Sequence, residues 1–318
     1  MNRRLVGQFS SDYVLRWFRL STDLFGDITT TIIFATITQA NTAYLDQRPE
    51  GGRDWGTLDR PAPDNLRRPI TAHAAATALG LPRETLRRKL NSLKAEGYVE
   101  ETPDGVIIRA EAMLRPPVVA TVIANTDLAR DFCLRLQRAG IVPIDRTGGA
   151  DLEEPLHRAI GRATNTFCLR FLENVMALSG GDLMLGLTAC ALEAANIRGL
   201  AESATELVGP IRSIPDSVRE PISAMSLARE LGLPRETTRR HLHRLIALGV
   251  CRAAPGGFIF TEARLDADRI TASLGRTAAN VRHLHATLIG AGVMLPTRVE
   301  PVPAPETALR GLGLAGAY

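Results

Sequence analysis

The chain has 318 residues, 45% hydrophobic and 23% charged, with a formal net charge of +4 and a pI near 9.1. That length points to two domains, and the composition is ordinary for a globular chain able to bury a full core. The four cysteines, Cys133, Cys168, Cys190 and Cys251, are scattered without a C-x-x-C pair and mostly within apolar surroundings, which reads as buried free thiols in a reducing compartment. Arg3 and Arg4 are followed by the polar stretch Gln8–Asp12 instead of an apolar core, which argues against a signal peptide.

In chain order, residues 12–45 read as helical. The run Ile28–Ile37 within them is too short and too rich in threonine to span a bilayer, and is expected to be a buried helix. Gln47–Asn65 carries the glycine, proline and charge mixture of a mobile loop, in which Trp55 either packs on the body or touches a partner. From 69 to 109 a short helix is expected behind an N-cap at Thr71, ended by Gly80. Pro82 stands at the first turn of a second helix with Leu86, Leu90 and Leu93 on one buried face and a stop at Gly97. Two β-prone runs, Tyr98–Glu101 and Val106–Arg109, around Pro103-Asp104-Gly105 make a hairpin. A closing helix over 117–139 follows, and Val142–Glu154 is expected to join this unit to the next.

The next unit repeats the first. Residues 69–109 and 221–261 align without a gap at an offset of 152 and agree at 20 of 41 positions, far above chance, so this is an internal duplication. Ser223, Gly232, Pro234, Leu242, Leu245, Gly249 and Pro255-Gly256-Gly257 recur in the roles of their counterparts. The same offset pairs Ala139-Gly140 with Ala291-Gly292, and an offset of 155 pairs Gly26-Asp27 with Gly181-Asp182 and Asn41 with Asn196. The units are thus 1–145 (helices in 12–45, motif 69–109, closing helix 117–139) and 146–299 (helices in 155–200, motif 221–261, closing helix 266–290). A proline- and glycine-rich tail, 300–318, is expected to be disordered.

Helix, turn, helix and β-hairpin resembles the winged helix-turn-helix, a DNA-reading module whose second helix enters the major groove. The order of terminal helices, winged helix and closing helix is similar to regulators of the multiple-antibiotic-resistance (MarR) type, here with two units in one chain. The resemblance implies a mainly α fold with small β-wings, a tandem duplicated winged helix-turn-helix forming an intramolecular pseudo-dimer. With the leucines taken as the buried azimuth and steps of about 100° per residue, the opposite face of the second helix holds Glu84, Arg88 and Asn91, flanked by Thr85 and Arg87. In the second copy it holds Glu236, Arg240 and His243, flanked by Thr237 and Arg239. Guanidinium forks suit guanine edges and phosphates, and the recurring pair of arginines weighs against a merely solvated surface. Glu84 and Glu236 either accept from cytosine or complement the helix dipole. His243 is a DNA contact or an ordinary surface histidine. Arg83, Arg235, Lys89, His241, Lys94, Arg244 and Arg252 complete the candidate DNA-binding set, mainly on phosphates. The copies diverge at Lys89/His241, Asn91/His243 and Ser92/Arg244, and the first wing carries Glu100, Glu101 and Asp104 where the second has Arg252, Ala253 and Gly256. The half-sites should therefore be related but unequal, an imperfect palindrome.

His241-x-His243 and His283-x-His285 are at i and i+2, pointing about 200° apart on a helix, and no cysteine or carboxylate set completes a metal site. With no Walker loop, dinucleotide fingerprint or nucleophile elbow, neither enzyme activity nor a cofactor is expected. The expected function is a cytoplasmic, nucleoid-associated transcriptional regulator acting on double-stranded DNA as a monomeric pseudo-dimer, with no membrane partner. RNA polymerase and a small-molecule effector remain open as further partners. The alternative is a plasmid-type replication initiator, which also carries tandem winged helices and binds iterons.

Overall fold

The computed structural model describes residues 3–47, 54–143, 155–200, 214–261 and 266–292. The expected join between the units (mostly 144–154), part of the first loop (48–53), residues 201–213 and the tail 300–318 lie outside the described residues.

The first half runs α1 (Arg3–Phe25), α2 (Ile28–Thr42), α3 (Ala72–Leu79), α4 (Arg83–Ala95), a hairpin of β1 (Val99–Thr102) and β2 (Gly105–Ile108), and α5 (Pro116–Arg138). The second half repeats it as α6 (His157–Leu178), α7 (Leu183–Asn196), α8 (Ala224–Leu231), α9 (Arg235–Ala247), β3 (Cys251–Ala254) with β4 (Gly257–Phe260), and α10 (Ala267–Gly290). The molecule is mainly helical, with two small antiparallel sheets. The helical region expected over 12–45 starts nine residues earlier and is broken at Gly26–Asp27, where the Asp27 carboxylate caps the Thr30 amide and starts α2. Asp182 does the same for α7 through Leu185. The first helices are related as well, although sequence reading had not aligned them. At an offset of 154, Arg4, Gly7, Leu15 and Arg16 match Arg158, Gly161, Leu169 and Arg170.

Four long helices form the centre, two from each half. α1 packs on α5 of its own half and on α10 of the other; α6 packs on α10 and on α5 in the same manner. α2 lies against α6 and α7 against α1, so each half's second helix crosses onto the other half's first. The core is continuous across the halves. Tyr13 of α1 stacks on Phe132 of α5 at 4.5 Å and meets Phe167 of α6 edge-on at 5.8 Å. Burial of these apolar faces, at about 25 cal/mol per Å² removed from water, binds the halves together. No single helix among the described residues is long and apolar enough to cross a membrane. Only α6 and α7 together reach that apolarity, and they are bent by 100°. Cys133, Cys168 and Cys251 are buried and Cys190 half-buried, all as free thiols.

The duplicated motif forms from the signals its sequence carries. Thr71 and Ser223 accept from the amides of Ala74 and Ser226, and Gly80 and Gly232 close α3 and α8 in the left-handed conformation at φ 60° and 61°. Pro82 and Pro234 stand one residue outside the next helix, at its cap, rather than in its first turn. In each hairpin the strands pair in the same register, Val99 with Ile108 and Cys251 with Phe260, and a single bridge adds Ile70 to Val106 or Ile222 to Phe258. That third segment explains Gly105 and Gly257. A Cβ on Gly105 would lie 2.6 Å from the Ile70 carbonyl, and one on Gly257 only 2.2 Å from the Ile222 oxygen.

Two buried asparagines fix the hairpins to the helical body. Asn41, at the end of α2, donates from Nδ2 to the carbonyls of Arg68 (2.7 Å) and Val106 (3.2 Å), and its Oδ1 accepts the Ile108 amide at 2.8 Å. Asn196, at the end of α7, repeats this with Glu220, Phe258 and Phe260 at 2.7, 3.0 and 2.7 Å. Both are fully buried. An amide is one of the few side chains able to satisfy two carbonyls and an N–H at once.

Candidate nucleic-acid interface

α4 and α9 each bury one face and present the other to solvent. Leu86, Leu90 and Leu93 are buried in α4; Thr238, Leu242 and Leu245 take those positions in α9. Opposite them, Arg83, Glu84, Arg87, Arg88 and Asn91 are exposed, as are Arg235, Glu236, Arg239, Arg240, His243 and Arg244. Thr85 and Thr237 are half-buried at the edge of the face.

The two arginines of each copy are not equivalent. Arg87 donates from Nε to Glu84 Oε2 at 2.9 Å and from Nη2 to Oε1 at 2.7 Å, and Arg239 grips Glu236 with the same two distances. The arginine's hydrogen bond holds the Glu84 and Glu236 carboxyls below the usual carboxylate range and raises each guanidinium in turn. Arg239 also approaches His243 Nε2 at 3.1 Å. Arg88 and Arg240 make no ion pair among the described residues and point outward from the same helix faces. An exposed pair at i and i+3 is worth at most about 1 kcal/mol, so the clasped arginines can open at little cost, while the second of each pair is open already.

Two residues of the candidate set turn toward the body instead of the exposed face. His241 is buried, with only 6% of its surface exposed, and its Nδ1 lies 3.1 Å from the Thr188 hydroxyl of α7. Burial pushes its pKa down, against the pull of Asp182 upward, so the neutral ring is favoured. Lys89, at the aligned position, is half-buried and donates from Nζ to Asp27 Oδ2 at 2.6 Å. Both side chains face the body because α2 and α7 run close beside the leucine stripe, which widens the buried sector beyond what three leucines define. Arg244 is exposed but reaches Asp182 Oδ2 at 2.6 Å, and Arg252 of the second hairpin reaches Asp216 at 2.9 Å. In the first hairpin, Glu101 meets Lys94 and Glu100 lies 3.9 Å from Arg109, so part of its negative charge is balanced.

Sequence reading missed the anchors. The carboxylate that starts α2 holds Lys89 of α4, and the one that starts α7 holds Arg244 of α9, one helical turn further along. The matched pair Gly26-Asp27 and Gly181-Asp182 was the available signal. For Asp27, burial by itself raises the pKa, but the hydrogen bonds from Lys89 and Thr30 outweigh it and leave the carboxyl below its ordinary value. For Asp182 the Leu185 amide and Arg244 do the same. A depressed folded pKa gives stability that is full above the unfolded value near 3.9 and is lost as pH falls through the folded one. Asn caps a helix as well as Asp does, so an Asp27→Asn/Asp182→Asn variant removes only the charge. It should be less stable at pH 7 by about 1 kcal/mol per site and lose less on acidification below about pH 4. Urea melts across that range check this, and an acid limb as steep as in the unmodified chain would contradict it.

The loop before the first motif is held in place where it is described. Arg158 donates to the carbonyls of Leu58 and Met113, and Arg162 reaches Asp46 Oδ1 at 2.7 Å and the Trp55 carbonyl at 2.8 Å. The expectation of a mobile segment therefore fails over 54–65. Trp55 is half-buried, with the guanidinium of Arg60, in the same loop, 5.4 Å above its ring.

No group of three or more His, Cys, Asp or Glu able to hold a metal ion exists among the described residues. No family model, curated protein or solved structure matches the chain.

Proposed function

We propose that the chain is a sequence-specific DNA-binding regulator in which α4 and α9 are the recognition helices of two winged helix-turn-helix units. A shared four-helix core would hold them as the two halves of an intramolecular pseudo-dimer. The observation that carries this reading is that one exposed face, with its open arginine and its Glu-clasped arginine, is built twice, with the same geometry, on a body whose two halves pack reciprocally. Arg88 and Arg240 are the residues for base readout, joined by Arg87 and Arg239 once their clasps open, with Thr85, Thr237, Asn91 and His243 beside them. Arg83 and Arg235 belong on phosphates at the helix N-termini. Lys89 and His241 orient the helices rather than touch DNA.

The exchange of helices between halves, α1 with α10 and α6 with α5, is a closed two-fold relation, which favours an inverted repeat over the direct repeats an initiator would read. Selection of bound duplexes from a random pool, followed by gel shift and sedimentation on the selected site, tests it. The expected site is an imperfect inverted repeat with half-sites about 34 Å apart, occupied by one chain. Direct repeats would move the reading to a replication initiator. Two or more chains on every minimal site would refute the pseudo-dimer.

A further inference from the structure

The exposed faces of α4 and α9 are alike at most positions, and the structure narrows the places where they differ. Within the two helices the aligned residues diverge at Leu86/Thr238, Lys89/His241, Asn91/His243, Ser92/Arg244 and Lys94/Ile246. Leu86 and Thr238 are buried, and Lys89 and His241 turn to the body. Ser92 donates to Glu96 Oε1 at 3.0 Å, Arg244 is held by Asp182 and Lys94 by Glu101, while Ile246 has no polar side-chain atom. At about 100° per residue, Glu84, Arg88 and Asn91 fall within about 60° of one another, and Ser92 and Lys94 stand to either side of them. The diverged polar pair in the middle of the face is therefore Asn91 and His243, both exposed.

These two side chains offer different hydrogen-bonding patterns. The Asn91 side chain makes no hydrogen bond among the described residues, so its amide presents a donor and an acceptor side by side. His243 is engaged by its neighbour. Its Nε2 lies 3.1 Å from Arg239 Nη1, and because a guanidinium only donates, Nε2 accepts and the proton of the neutral ring sits on Nδ1. Arg239 in turn holds Glu236 through Nε and Nη2, so Glu236, Arg239 and His243 form one chain of hydrogen bonds along α9. In α4 the clasp between Arg87 and Glu84 has no third member among the described residues. The open polar atom of His243 is thus a donor, and its acceptor is already taken.

We propose that Asn91 and His243 are the residues that make the two half-sites unequal: at one aligned base pair Asn91 selects adenine and His243 selects guanine. The inference rests on the reading of α4 and α9 as recognition helices and names what distinguishes them. In the major groove adenine shows N7 as acceptor beside the N6 amino donor, the complement of an asparagine amide. Guanine shows two acceptors, N7 and O6, which suit a side chain left with a donor alone, whereas the N6 amino group of adenine would find no acceptor on His243. Thymine offers one acceptor beside a methyl group, a poorer match. Glu84, Thr85, Arg87 and Arg88 recur as Glu236, Thr237, Arg239 and Arg240, so the other contacts of the two faces call for the same bases.

The test uses the duplex that the full chain selects from a random pool, with two derivatives that carry adenine in both half-sites or guanine in both at the position where the halves differ. The unmodified chain should bind the mixed site about tenfold more tightly than either derivative, the scale of one specific base contact. His243→Asn should move the preference to the adenine-adenine site and Asn91→His to the guanine-guanine site. The double exchange Asn91→His/His243→Asn should restore the preference for the mixed site. Both positions are exposed, so thermal unfolding and affinity for random duplex should stay as in the unmodified chain. Identical half-sites in the selected duplex, equal binding of all three duplexes by the unmodified chain, or single variants that keep the mixed preference would overturn the proposal. Each of these results leaves the recognition helices in place, since a specific site is still bound, whereas a chain that selects no site at all would overturn both readings.

Discussion

An Arg88→Ala/Arg240→Ala variant is expected to lose about 2–6 kcal/mol of binding to the selected site, because each open arginine is worth about 1–3 kcal/mol in a bidentate base contact and two distant sites add. Each single variant should lose about half of that, and random duplex should be affected far less. The effect follows from exposure. Arg88 and Arg240 stand on the solvent face with no ion pair to give up among the described residues, so their hydrogen-bonding capacity is free for a partner. Arg87→Ala and Arg239→Ala should cost less, since each forfeits a contact that first required opening the clasp. Equal losses on selected and random duplexes would assign Arg88 and Arg240 to phosphates.

Asn41→Ala is expected to destabilise the fold by about 2–4 kcal/mol. Truncation leaves the buried Ile108 amide and the Arg68 carbonyl without a partner, at about 1–3 kcal/mol each and partly relieved by relaxation, and takes one of two donors from the Val106 carbonyl, which the Ile70 amide still serves. Asn196→Ala should match it, because the second bracket has the same three bonds. Asn41→Asp should be no better, since a second oxygen would then face the carbonyls of Arg68 and Val106. Urea unfolding followed by circular dichroism measures the cost, and amide exchange should show Ile108 and its hairpin losing protection first. A cost below about 1 kcal/mol would mean that the hairpins are held by their apolar contacts alone.

The tandem motif was legible because its signals are local. A threonine or serine cap, a left-handed glycine, leucines at helical spacing and a hairpin glycine each act within a few residues, and the second copy confirmed each reading of the first. The matched Asn41 and Asn196 were visible as a coincidence of alignment, but what they do depends on strands some 65 residues away. The same limit explains the errors. A helical wheel built on Leu86, Leu90 and Leu93 gives the centre of the buried face but not its width, and α2 and α7 extend that width to Lys89 and His241. The loop over 54–65 has the composition of a free segment, yet two arginines 100 and 107 residues further along the chain hold its carbonyls.

By itself, then, the sequence determined that this chain contains one unit twice, where each unit's helices start and stop, and which side of α4 and α9 faces water, because capping, turn geometry and amphipathic spacing are properties of short stretches. Only the tertiary structure decided that the halves exchange helices around a common core, and that Arg87 and Arg239 are clasped while Arg88 and Arg240 are open. Those features depend on which surfaces meet across the pseudo-two-fold. That is settled by the burial of apolar faces between segments far apart in the chain, for which no local pattern is a proxy.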